Sequence, residues 1–313
     1  MREINIKVLV ITMLLVVGSS FQVNAQRWFK TSSLEFGLVG GASHYSGDLT
    51  QSYLETRGLK PSVGIITRYS PGERVTFRLS AQYGKMEGRD DWYEDQDDAG
   101  RRNLNFRSNL WDFTGALEVN LRRMEARQKS GIYPYLFTGA SVFRFNPETQ
   151  FFYEPGGAMD TYLGLDPDGN RIYAQLADRD GEFVALQPLG TEGQETTEFN
   201  DRKRYALTQV AIPVGGGLKF KLNHKWTLGM EYGARFTFTD YLDDVSGTYV
   251  DPVRVNSQYG PMSSALSVRS PQFDASTLEE SPRGNPDKND VYGLFGISLT
   301  YRLYGNRPDC PTF

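Results

Sequence analysis

The chain of 313 residues reads as all-β: an eight-stranded antiparallel up-and-down transmembrane β-barrel with four long external loops. Three observations predict this. Apolar residues recur at every second position in eight separate ribbons, the period of a strand and not of a helix. Short and long connections alternate between those ribbons, as they do when every second turn lies on the same side of a membrane. The chain also opens on a leader-like segment that would carry the remainder out of the cytoplasm.

That segment comes first. Arg2 and Lys7 flank the start of the apolar run Val8–Val17, and Ala25 closes an A-x-A-like site, Val23-Asn24-Ala25. Residues 1–25 are expected to be a secretory signal peptide, leaving 26–313 as the barrel and its loops. The run is short of the ~20 residues of a spanning helix. With 19 Phe, 18 Tyr and 32 Gly the composition favours strands and close backbone approach. A net charge of −4 offers no basic field for nucleic acid. Cys310 is the one cysteine, so an internal disulfide is excluded.

The ribbons are expected at Leu34–His44, Ser62–Tyr69, Val75–Tyr83, Leu104–Leu121, Ile132–Phe145, Tyr205–Phe220, Trp226–Phe238 and Asp290–Tyr304. In the third, Val75, Phe77, Leu79, Ala81 and Tyr83 share one face, and Thr76, Arg78, Ser80 and Gln82 the other. In the seventh, Trp226, Leu228, Met230, Tyr232, Ala234, Phe236 and Phe238 alternate with Thr227, Gly229, Glu231, Gly233, Arg235 and Thr237. The fourth changes phase: Leu104, Phe106 and Leu110 have the opposite parity to Trp111 and Phe113, which predicts a bulge near Ser108. The short connections are SPGE, RRMEARQKSG and LNHK. The long ones are Tyr45–Pro61, Met86–Asn103, Asn146–Arg204 and Asp240–Asn289, the last two being the largest. An even strand count puts both termini in the periplasm. Trp226 and Tyr304 are expected at the periplasmic edge, and Tyr83, Trp111 and Phe238 near the outer one.

A tube of eight strands is filled by its own side chains. Arg78, Glu118, Glu231 and Arg235 are expected inside it as a plug of paired charges, with a small channel or ligand site as the alternative. In YLDDVSGTYVDP, acids at 240, 243 and 244 with Gly247 do not match the one-three-five spacing of an EF-hand. Turn chemistry at the start of an external loop is the expectation, with looser calcium binding as the alternative. DDWYEDQDD (90–98) is expected to be a solvated external loop, and DPDGN (166–170) marks a turn within the long third loop. Only two histidines exist. His44, beside Ser43, Ser46 and Asp48, is the one candidate base for a surface-facing barrel enzyme, but Ser43 and His44 would point to opposite faces. No catalytic residue, cofactor or metal site is assigned.

Seven segments, in order along nearly the whole mature chain, carry a family resemblance. They are FGLVGGASHYSGDL, RLSAQYGKMEGRD, RNLNFRSNLWDFTGALEVNL, YPYLFTGASVFRFNP, LQPLGTEGQ, TDYLDDVSGTYVDP and DVYGLFGISLTYRL. With these the chain resembles the PorG-like outer-membrane barrels of the type IX protein secretion system. LGTEGQ and TDYLDDVSGTYVDP are the most specific. The resemblance implies an integral outer-membrane component of the secretion and gliding machinery that is not an enzyme and works with a periplasmic ring of a lipoprotein and its ring partner. Only periplasmic parts could touch such a ring, and Arg122, Arg123, Arg127 and Lys129 make the middle turn basic. That patch is either a partner contact or simply a solvated turn.

Overall fold

The computed structural model describes residues 32–50, 52–53, 55–93, 102–124, 130–196, 202–270 and 281–305. The expected signal peptide, Cys310, Arg127, Lys129 and the acids at 94–98 lie outside the described residues.

Eight long strands form the wall: β1 (Ser33–Ser46), β2 (Lys60–Ser70), β3 (Val75–Arg89), β4 (Asn105–Asn120), β5 (Gly131–Arg144), β8 (Thr208–Lys221), β9 (Trp226–Thr237) and β10 (Val291–Gly305). All are antiparallel to their neighbours, in the order β3-β2-β1-β10-β9-β8-β5-β4, and the pairing of β3 with β4 closes the ring. Each predicted ribbon is thus a strand. Two shorter strands, β6 (Pro147–Gln150) and β7 (Phe183–Ala185), extend the sheet outward from the top of β4.

The ring is sheared. Following cross-strand partners from Trp111 leads through Tyr83, Val63, Gly40, Ile297, Met230, Leu218 and Pro134 to Leu121, whose N–H donates to Pro134. That is 121 − 111, or ten residues along β4 per circuit. Such a stagger tilts the strands and sets a bore that side chains can fill. The wall alternates as the pattern requires. Outward positions are apolar and bare, Leu79 at 68% exposure and Leu38 at 65%, while inward Thr76, Arg78, Ser80 and Gln82 are buried. Glycine is required where the bore is most crowded. A Cβ on Gly215 would lie 2.5 Å from the Phe137 ring and one on Gly233 2.7 Å from it, so the two glycines make room for that ring.

The bulge predicted near Ser108 is absent. β4 runs against β3 in unbroken register from Asn105 to Val119, and the register shift lies instead between Leu34 and Glu35 of β1. The change of parity has another cause. Leu104, Phe106 and Leu110 do point inward, because above Asp112 the barrel interior becomes apolar. There they join Tyr45, Met86, Phe143, Phe145, Leu242 and Leu294 in one buried core. The long loops close over this core. They contribute helices α1 (Ala158–Tyr162), α2 (Pro252–Tyr259) and α3 (Pro261–Ser267). α2 begins where Asp251 accepts from the Val253 N–H with Pro252 in the first turn. At the expected DPDGN turn, Asp166 accepts from the Asp168 and Asn170 amides, and Leu165 bridges Arg171.

Candidate functional site

Two polar constellations stand out, one inside the barrel and one in the loops above it. Within the barrel, Glu118 and Glu231 share three cations. Glu118 accepts from Arg68 Nε at 3.0 Å and from Lys219 Nζ, with Arg78 Nη1 at 3.6 Å. Glu231 faces Arg78 Nη2 at 2.8 Å and Arg68 Nη2 at 3.3 Å, and takes the Tyr135 hydroxyl. The Arg78 guanidinium lies 4.4 Å from the Phe137 ring centre, which seats it over the aromatic floor. Nearer the loops Arg235 lies 3.5 Å from Asp112, and Asp112 also accepts from Thr114, Ser141 and Tyr292 at 2.6, 2.7 and 2.7 Å. All four predicted interior charges therefore lie in the bore, but Arg235 pairs with Asp112 and not with either glutamate. Sequence reading missed Arg68, Lys219, Tyr135 and Asp112. Their parity along β2, β8, β5 and β4 was the available signal. Burying charges costs several kcal/mol each unless they are mutually paired, as here.

The second constellation joins the two segments most specific to the family resemblance. Glu192, in LGTEGQ, is fully buried. It accepts from the Ser246 and Gly247 amides at 2.9 and 3.0 Å, from the Tyr241 hydroxyl at 3.1 Å and from Arg283 at 3.0 Å. Asp244 stands at φ 67°, where Asp is tolerated. It accepts from Thr191 at 2.5 Å and Tyr205 at 2.6 Å. Asp243 accepts from the Tyr45 hydroxyl at 2.5 Å, and Asp290 Oδ1 lies 3.2 Å from the same hydroxyl. Asp240 lies beside Ser246, with neither carboxylate oxygen in hydrogen-bond geometry. The stretch expected to be turn chemistry at the start of an external loop is thus a buried lock between the third and fourth loops. Burial pushes Asp244 up to about 6 against the pull of Arg283, and pushes Asp240 up to about 8 with Asp48 adding to it. Asp243 and Asp290 are raised as well, by burial and then by neighbouring carboxylates. Among the described residues no three His, Cys, Asp or Glu are arranged as metal ligands. Asp90, in the acidic segment, is also buried, in an ion pair with Arg102 at 2.6 Å.

The remaining candidates do not converge. His44 lies on the outer wall against Phe295, its Nε2 3.1 Å from the Tyr232 hydroxyl. Ser43 turns the other way and donates to Lys85 O at 2.6 Å, while Asp48 accepts from the Asn285 amide. Arg122 and Arg123 are exposed on the β4–β5 turn, Arg122 5.7 Å from the Tyr133 ring. Trp111, Phe238 and Trp226 are exposed on the outer side of the wall.

The family described as "Domain of unknown function (DUF6089)" matches residues 7–154 and 191–265, more than half of the chain. The gap falls on the outlying part of the third loop, including α1. No curated protein matches the chain. Among solved structures, Neisserial surface protein A aligns over 86% of this chain and 97% of its own at 9% identity and TM-score 0.38. The outer membrane protein OprG of Pseudomonas aeruginosa aligns over 88% and 96% at 10% identity and TM-score 0.35. A major outer membrane protein of Thermus thermophilus aligns over 87% and 100% at 13% identity and TM-score 0.34.

Proposed function

From the premise that the chain belongs to the DUF6089 family, we propose that it is an integral outer-membrane anchor of a type IX protein secretion and gliding machinery. In this reading it assembles with a periplasmic ring built from a lipoprotein and its partner. One observation carries the reading: a wall that is apolar all round encloses a bore shut by paired charges. The wall suits lipid, since a closed sheet leaves no backbone group unpaired. The filled bore suits a fixed component better than a conduit, because moving cargo through it would mean breaking buried ion pairs. The start of β1, the end of β10 and the short turns occupy one end of the barrel, with Ser33 beside Gly305, and this end is assigned to the periplasm. Arg122 and Arg123 are exposed there and are the described residues assigned to partner contact; Arg127 and Lys129 complete the assignment. The family resemblance supplies the secretion role, and its two most specific segments form the single lock described above.

A tagged pull-down from detergent-solubilised outer membranes, with mass-spectrometric identification, tests this. Near-stoichiometric recovery of the periplasmic ring proteins is expected, reduced when Arg122 and Arg123 are changed to Ser. Recovery of the barrel alone, under conditions that keep the ring intact, would overturn the assembly role.

A further inference from the structure

The outer wall changes from apolar to polar near the loop end of the barrel, and the change differs around the circumference. On β3 the step is from Tyr83 to Lys85, on β4 from Trp111 to Asn109, and on β5 from Val142 to Arg144. At the corresponding step β2 and β8 carry Pro61 and Thr208 and Phe238 follows the end of β9, while Lys60 of β2 is held by Glu87 of β3. Among these strands, the outward cations at this step stand on the β3–β4–β5 face.

Register gathers that face into one site. Arg144 is opposite Trp111, Trp111 is opposite Tyr83, and Lys85 is opposite Asn109. The Tyr83 and Trp111 rings are 4.8 Å apart, and the Tyr83 hydroxyl donates to Asn109 at 2.8 Å. The result is a pair of rings inclined at 51° with an amide at their upper edge and a long cationic side chain on either side. Neighbouring strands lie about 4.8 Å apart, so β3 and β5 are about 10 Å apart, a gap two such side chains span. Lys85 and Arg144 are exposed, and among the described residues neither makes an ion pair. The cations around them are already satisfied: Lys60 by Glu87, Arg89 by Asp91 at 2.5 Å and Arg107 by Glu148 at 3.5 Å.

A cation at the end of an apolar wall meets whatever anion lies at that depth of the membrane. The exposed face of Trp111 beside it offers a flat apolar surface to a sugar ring, with Asn109 and the Tyr83 hydroxyl for the ring's polar edge. We infer that the β3–β4–β5 face binds a phosphorylated glycolipid head group of the surrounding outer leaflet. Its phosphate lies between Lys85 and Arg144, and its sugar lies on Tyr83 and Trp111. The inference rests on the outer-membrane placement proposed above.

The experiment uses the full chain reconstituted in lipid nanodiscs, with insertion established first from protease protection of the strands. Bisphosphorylated lipid A, its dephosphorylated form and inorganic phosphate are the probes, and binding is counted by native mass spectrometry. Lys85→Gln and Arg144→Gln should each weaken lipid A binding about fivefold, the scale of one basic side chain at a membrane surface. The dephosphorylated lipid should bind no better to wild type than lipid A does to the double variant, and Arg254→Gln should change nothing. Wild-type binding by the double variant would overturn the assignment, as would equal binding of the dephosphorylated lipid. Displacement of lipid A by inorganic phosphate at matched concentration would identify free phosphate as the ligand and overturn the lipid source. A barrel that fails to insert overturns the membrane placement itself, whereas one that inserts and shows no phosphate preference overturns only this site.

Discussion

Asp240 shows what a single unpaired carboxylate does in a packed loop. It is buried, has no donor in hydrogen-bond geometry, and is raised to about 8 by burial and then by Asp48. Asp244, raised to about 6, is the lesser case because Arg283 opposes its burial. An acid whose folded value exceeds its unfolded one, about 3.9, favours the fold when protonated. The stability of the loop cap should therefore be fullest below about pH 4 and decline as pH rises through 6 towards 8. Asp240→Asn removes this residue's share of the decline between about pH 4 and 8, leaving the shares of Asp244, Asp243 and Asp290, and should stabilise the cap at pH 8 by about 1 kcal/mol, the scale of a relieved buried polar group. Hydrogen-exchange protection factors across residues 240–250, corrected for intrinsic rates, read both effects. Parallel pH profiles for wild type and variant would show that Asp240 is not the titrating group.

At the scale of elements, the barrel and the cap are held by different forces. The strands are joined by backbone ladders that close the ring, while the third and fourth loops are joined by side-chain bonds, of which those of Glu192 and Asp244 are the most buried. Glu192→Ala would leave Arg283 buried without its closest carboxylate and the Ser246 and Gly247 amides without acceptors. A cost of about 3–5 kcal/mol is expected, the scale of a broken buried ion pair. It should appear as lost exchange protection over 240–250 and 281–290, with the heat-modifiable gel shift of the folded barrel retained. Joint loss of both signals would mean that cap and barrel unfold as one unit. The same division explains what could be read from the sequence. Period-two alternation is local, so Val75–Tyr83 and Trp226–Thr237 were legible residue by residue, whereas Met86–Arg89, read as the start of a long loop, continue β3 because their alternation packs against the cap and not against the wall pattern below. Arg68 escaped because the β2 ribbon is short and irregular, and Lys219 because its strand is dominated by Gly215, Gly216 and Gly217. The phase change at Leu110 was legible but its cause was not, since a bulge and an apolar upper chamber leave the same mark on one strand. The Glu192–Asp244 lock was beyond reach. Both segments look like turns, and only the fold brings residues that are 52 positions apart in sequence (244 − 192) together.

For the whole molecule, the question is whether anything passes along the barrel axis. Three barriers lie in series. The Glu118–Glu231 group and its three cations occupy the end near the short turns, with Tyr135 and Phe137 beside them. The Arg235–Asp112 pair follows, and above it the apolar core of Leu110, Phe143 and Phe145 is sealed by the loops. An ion on this path must displace a buried salt bridge and then cross an apolar plug, and each step alone costs more than thermal energy supplies. Planar-bilayer recordings of the purified, inserted protein should therefore show no steady conductance, and Glu118→Ala should not create one, because the upper two barriers remain. Because the barriers act in series, the silence of that variant is the stronger test. Steady openings in Glu118→Ala alone would place the seal entirely in the lower charge cluster and make the upper core permeable. Steady openings in wild type would reinstate the small-channel reading of the bore, with the three cations beside two carboxylates as its selectivity element.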